Sequence, residues 1–199
     1  MNLFDPTSRW WLARDYIPIS HRGLPIARIF FPYENASGDA IRWSRLADLE
    51  ELPASVSWAD VVTQATGHGA DPALQPKYGD VESALRRCLI DILPSLSMTT
   101  LSWTGYGNPF RGAPTLEVGG GVYAESRVPI ENALMQTPFP TFAWDDAQQL
   151  AWGMRLYPDS MIIAATPGVM RAVAVDDRLD VRMIDARSDS LPAYDAPGT

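Results

Sequence analysis

The sequence predicts an α+β fold: an antiparallel sheet with two or three helices packed on one face, and a three-strand meander at the carboxyl end. Three observations carry that reading. Elements run strands, then helices, then strands, without the βαβ alternation a parallel sheet needs. Apolar residues recur at helical spacing mainly between positions 42 and 92. The last apolar runs are joined by links of a few residues, which suit antiparallel neighbours. A chain of 199 residues fits one domain over 1–199. Its last stretch, 186–199, is polar and proline-containing and is expected to fray.

Between Arg9 and Pro32 the chain reads as extended. The runs Arg9-Trp10-Trp11-Leu12-Ala13 and Ile26-Ala27-Arg28-Ile29-Phe30-Phe31 are aromatic and β-branched and are punctuated by Pro18, Gly23, Pro25 and Pro32. From Arg42 to Leu52, Trp43, Leu46, Leu49 and Leu52 recur every third position, which predicts an amphipathic helix stopped by Pro53. Trp58, Val61, Val62 and Ala65 make a second helix, capped by Ser55 or Ser57 and ended by Gly67. Residues 67–79 form a loop. The next helix is capped by Asp80, buries Val81, Ala84, Leu85, Cys88, Leu89 and Ile92, and wets Arg86 and Arg87. Pro94 closes it.

Strands follow. Met98 to Trp103 is one, and Thr115–Val118 with Val122–Ala124 is a hairpin about Gly119, Gly120 and Gly121. Ala143 to Leu156 is ambiguous, with Trp144, Ala147, Leu150, Ala151 and Met154 suiting a helix. Met161–Ala165, Met170–Val175 and Asp180–Ile184 complete the predicted meander.

Composition bounds function. The net charge of −8 argues against nucleic-acid or anionic-membrane partners, both of which need a cationic face. Apolar runs fall short of the ~18 residues of a membrane span. The amino terminus lacks a basic flank and apolar core, so no signal peptide is expected. Cys88 is the single cysteine, which excludes an intramolecular disulfide and fits a reducing cytoplasm. Charge is uneven: residues 32–84 carry nine acids against Arg42, Arg45 and Lys77, a docking face for a basic partner if it is more than a solvated surface. Asp48, Glu50 and Glu51 are its central acids.

Familiar chemistry is scarce. His21 and His68 stand 47 positions apart with no ligand cluster, so no metal or cofactor is expected. His21 could act as a base, but a Ser-His-Arg-Gly turn reads first as surface. The three glycines lack the Lys-Ser/Thr ending of a phosphate loop, and neither Gly-x-Ser-x-Gly nor Ser-x-x-Lys occurs. Consecutive Trp10 and Trp11 would face opposite ways on a strand, leaving one exposed as an anchor for a protein partner.

Four segments occur in a telling order: Leu24-Pro25-Ile26-Ala27-Arg28-Ile29-Phe30-Phe31-Pro32, Ile41-Arg42-Trp43-Ser44-Arg45-Leu46-Ala47, the helix from Gly79, and Ser102-Trp103-Thr104-Gly105-Tyr106-Gly107. Together they resemble a group of uncharacterised soluble proteins found mainly in actinobacterial genomes. Tyr157 to Thr166 resembles that group's later Trp-Pro-Ala-Asp-Arg segment, one residue short and lacking its second tryptophan. Thr104 stands where the group carries an acid. The group has no assigned activity, so the resemblance implies no catalytic residue.

The leading expectation is therefore a cytoplasmic, non-enzymatic protein-binding module, immunity- or inhibitor-like, with an acidic surface. The alternatives are an enzyme or small-molecule binder with an aromatic pocket of Trp103, Tyr106 and Trp152, and a phage-type or assembly component.

Overall fold

The computed structural model describes residues 3–5, 8, 10, 12–35, 37–67, 75–76, 81–106, 112–155, 158–185 and 187, with backbone alone at positions 34, 66, 75, 76 and 106. Trp11, His68, Asp80 and the tail beyond 187 lie outside these residues. In chain order the elements are β1 (Ile26–Phe30), β2 (Tyr33–Glu34), β3 (Ala40–Ile41), α1 (Trp58–Thr66), β4 (Gln75–Pro76), α2 (Ser83–Ile92) and β5 (Ser97–Trp103). Then come β6 (Thr115–Val118), β7 (Gly121–Pro129), α3 (Ile130–Met135), β8 (Phe142–Asp145), β9 (Leu150–Gly153), β10 (Ser160–Ala165), α4 (Pro167–Val175) and β11 (Asp180–Met183). The fold is α+β. Eight antiparallel strands form one sheet in the order β11-β1-β10-β9-β8-β5-β7-β6, and β3-β2-β4 form a small second sheet.

The two faces of the large sheet are closed differently. On one, Ala27, Ile29, Met98, Ala143, Trp152 and Ile163 pack under α2, α3 and α4 through Leu85, Leu89, Leu134, Met170 and Val173. On the other, Ile26, Leu101, Phe142, Ala151 and Ile162 pack under the amino-terminal segment through Phe4, Ala13, Tyr16 and Ile17. A third cluster, Phe30, Tyr33, Trp43, Leu52, Val56 and Val61, joins the small sheet and α1 to the end of β1.

Local chemistry explains the expected helices that formed. Ser57 accepts from the Asp60 N–H while Asp60 accepts from the Ser57 N–H, a reciprocal cap, and Gly67 ends α1 at φ 68°. Glu82, two residues after the expected cap Asp80, caps α2 by accepting from the Ala84 and Leu85 N–H groups. Four readings are corrected or, for the open one at 143–156, decided. Residues 42–52 form only a 3-10 turn at Trp43–Arg45 followed by turns; a repeat of three is the 3-10 period, and such helices stay short. The stretch 143–156 is the β8–β9 hairpin, whose Asp145 carboxylate accepts the Gln149 and Leu150 N–H groups. Met170–Val175 lies in α4, which Pro167 opens at its first turn, so β10 and β11 flank β1 and these three runs make no meander. In the expected Arg9–Ala13 strand, the described residues Trp10 and Ala13 are not extended: Trp10 has φ 59°, and Ala13 begins the 3-10 turn Ala13–Tyr16.

Arg86 is the fifth correction. It is buried, not wetted, and its guanidinium donates to the Val81, Leu134 and Gln136 carbonyls above the Phe139 ring. Arg28, fully buried in β1, likewise donates to Ala54, Val56, Ser160 and Asp159 and stacks on Phe30. Arg28 ties the irregular stretch at Ala54 and Val56 to β1, and Arg86 ties the end of α3 to α2, each by satisfying main-chain carbonyls.

Candidate functional site

β6 is one edge of the large sheet, and the amino-terminal segment runs beside it. Between them lies a groove of about 590 Å³, with Phe4 and Trp10 on one wall and Leu116, Val118 and Gly119 on the other. The Gly119-Gly120 turn, at φ 57° and 80°, closes the β6–β7 hairpin. Glycine at 119 serves twice: a Cβ there would stand 2.6 Å from the Trp10 indole nitrogen.

Trp10 is held in place from several sides. Its N–H donates to Ser8 Oγ at 3.0 Å, and its carbonyl accepts from the Tyr16 hydroxyl at 2.9 Å and from Arg155 at 3.3 Å. Its ring lies 5.4 Å from Tyr16 and 5.7 Å from both Phe4 and Phe142. Burial pushes the Tyr16 phenol above its ordinary range, with Arg155 opposing it, so the phenol stays a proton donor.

The β6–β7 register, with a two-residue turn, points the N–H and C=O groups of Thr115 and Glu117 away from β7. Glu117 is exposed and makes no hydrogen bond or ion pair among the described residues. Across the groove Asp5 faces Arg22 at 3.9 Å. The groove thus combines a strand edge that has no partner strand among the described residues, an aromatic wall and carboxylates at its rim. Such a site can pair main chain with main chain, seat apolar side chains and attract positive ones.

Of the residues singled out in the sequence, Trp10 lines this groove. Trp103 packs half-buried on the same sheet face; the side chain of Tyr106 and all of Trp11 lie outside the described residues. Trp152 is fully buried on the opposite face, its indole donating to the Pro140 carbonyl, so it shares no pocket with Trp103. Asp48, Glu50 and Glu51 sit exposed on a turn where Asp48 accepts the Glu50 N–H, away from the groove.

His21 is buried rather than on the surface. Its Nε2 stands 3.4 Å from Asp145 Oδ1, and its Nδ1 stands 2.9 Å from Ser20 Oγ. The order Ser-His-Asp suits nucleophile activation, but Ser20 only neighbours its own histidine on a 3-10 turn, and none of the three lines the groove. Asp145 Oδ1 already takes two backbone N–H groups of its own turn. The contact pins the amino-terminal segment to the β8–β9 turn. Among the described residues no group of three or more His, Cys, Asp or Glu side chains could hold a metal ion, and no helix is long and apolar enough to cross a membrane.

Sequence reasoning missed Phe4, Leu116 and Glu117. The available signal was the alternation Thr115-Leu116-Glu117-Val118 beside a glycine turn, which places Leu116 and Val118 on one face. Compared with known protein families, curated proteins and solved structures, the chain finds no match in any of the three.

Proposed function

We propose that this protein is a non-enzymatic binding module that takes up an extended segment of a basic protein as an added strand along β6. The observation that carries the reading is the groove beside the open β6 edge, with Trp10 and Phe4 as its wall and Glu117 at its rim. Strand addition draws affinity from main-chain hydrogen bonds and specificity from alternate side chains. The groove would accept apolar side chains at every second position, with lysine or arginine between them meeting Glu117. An inhibitor- or immunity-like protein works in this way, by occupying a partner's segment through complementary surface.

The test is titration of a peptide alternating lysine with leucine or valine, followed by amide shifts of Thr115–Val118. Binding should weaken as salt rises. Glu117→Pro removes an outward N–H without touching the β7 ladder and should abolish binding, whereas Glu117→Lys should weaken it about tenfold. Equal binding of an acidic peptide, or full binding by Glu117→Pro, would overturn the reading.

A further inference from the structure

At the opposite edge of the large sheet, a second cleft of about 510 Å³ opens between α2 and the stretch leading into β11. Its floor is apolar: Phe30 from β1, then Pro32, with Leu85 and Cys88 on the inward face of α2. Its rim carries Arg42, Arg87 and Arg178 against Glu82, Asp91 and Asp180.

These charges are equal in number but not in what they have left to bond. Asp180 is consumed by Arg42 and the Ser44 N–H, and Glu82 by the Ala84 and Leu85 N–H groups at the start of α2. Asp91 is bound to Arg178, which also holds Asp176. Arg42 is further fixed by the Asp177 and Leu179 carbonyls. Arg87, exposed on α2, makes no hydrogen bond or ion pair among the described residues. The carboxylates are therefore spent on holding the wall, and one guanidinium fork over an apolar floor is unspent.

We infer that this cleft binds an organic monocarboxylate with an apolar body, its carboxylate on Arg87 and its body over Phe30, Pro32 and Leu85. One unspent cation matches one negative charge, while a dianionic phosphate would also meet Asp91, Asp180 and Glu82 at short range. The size suits a small metabolite, and the planar fork suits a carboxylate taken in two parallel hydrogen bonds. This site is independent of the β6 groove.

Cys88 reports on occupancy. Burial, reinforced by the neighbouring Asp176 carboxylate, pushes its thiol up to about 11, so it alkylates slowly at neutral pH, and a bound ligand would slow it further. The experiment measures melting temperature and iodoacetamide labelling of the full chain with acetate, hexanoate and phenylacetate, with their three amides, and with inorganic phosphate. Hexanoate and phenylacetate should raise the melting temperature and protect Cys88, acetate less, and the amides and phosphate not at all. Arg87→Ala, an exposed change that leaves the fold intact, should cost about tenfold or more in affinity, and Arg87→Lys should keep part of it. Glu117→Pro should leave these effects unchanged, which separates this site from the peptide groove. Binding by the amides or phosphate equal to the acids, full binding by Arg87→Ala, or no response to any of the three acids would overturn the inference.

Discussion

The two faces of the large sheet are buried by unlike means. The helix-covered face is regular: α2, α3 and α4 satisfy most of their own backbones, with Arg86 completing the end of α3, and deliver mainly Leu, Ile, Val and Met to the sheet. The other face is covered by an amino-terminal segment with two short 3-10 turns, which cannot satisfy its own main chain. It relies on aromatic contacts among Phe4, Trp10, Tyr16 and Phe142, and on side-chain bonds from Arg155, Arg22 and the His21–Asp145 pair. An irregular lid held at points leaves a gap between itself and the strand it runs beside. The β6 groove is such a gap, which is why the proposed binding surface lies on this face.

The contrast can be broken most directly in the helix-covered core. Trp152→Ala should cost about 3–5 kcal/mol, because a fully buried indole leaves a cavity the surrounding sheet cannot close. Arg86→Met should cost about 1–3 kcal/mol despite its apolar side chain, because the Leu134 and Gln136 carbonyls would lose their donor. Both should appear in urea unfolding as a lower midpoint with an unchanged slope. If Arg86→Met is as stable as the parent, buried carbonyls around α3 are not tied by that arginine.

On the irregular face the expected response is local. His21→Ala should cost about 1–2 kcal/mol globally, yet should raise amide exchange first in the segment from Phe4 to Tyr16, while α2 and β5 keep their protection. Uniform loss of protection across both faces would show that the segment is no separate lid.

How much of this was legible beforehand follows the same division. α1 and α2, the β6–β7 hairpin and β1 carry their signals locally: a reciprocal cap, an apolar stripe, a glycine turn, a run closed by proline. The central strands do not. β9 and β10 are buried on both faces, which erases the alternation that marks a half-exposed strand, so Leu150–Gly153 could pass for part of a helix. Residues 42–52 carried a true period, but of three, and Trp43 is placed by its indole bond to the Phe31 carbonyl rather than by a helix. The binding face was half visible. Trp10 stood out as an anchor, but its wall depends on Leu116 and Gly119, more than a hundred positions away, and His21 meets Asp145 across 124. Contacts at such separations are set by topology and leave no spacing to read.

The small lobe on β1 offers a finer test. Tyr33 is fully buried between Trp43 and Trp58, and its hydroxyl has no hydrogen-bond partner among the described residues. Burial pushes the phenol far above its ordinary range, so the folded chain holds this proton where an unfolded chain releases it, and stability should fall as pH rises above about 10. Tyr33→Phe should remove much of that alkaline loss and stabilise the protein at neutral pH by up to about 1 kcal/mol. A destabilising Tyr33→Phe would mean the hydroxyl has a bonded water.

The smallest effect lies at the acid end. Asp176, in the turn between α4 and β11, is held down to about 2 by hydrogen bonds from the Arg178 side chain and N–H. Asp60 is lowered by its bonds to Ser57 at the start of α1. A depressed carboxyl binds fewer protons folded than unfolded, so its contribution is complete above the unfolded value near 3.8 and disappears as pH falls through about 2. Asp60 is exposed and Asp176 is half-buried beside the exposed Arg178, so screening keeps each contribution below about 1 kcal/mol. The amino-terminal face supplies neither of these groups. Asp176→Asn and Asp60→Asn should therefore each flatten the acid limb of the urea midpoint below about pH 4, while leaving the exchange of the segment from Phe4 to Tyr16 unchanged. If either variant loosens that segment, the two faces are coupled through the sheet, and the groove is not free to respond to its partner independently of the core.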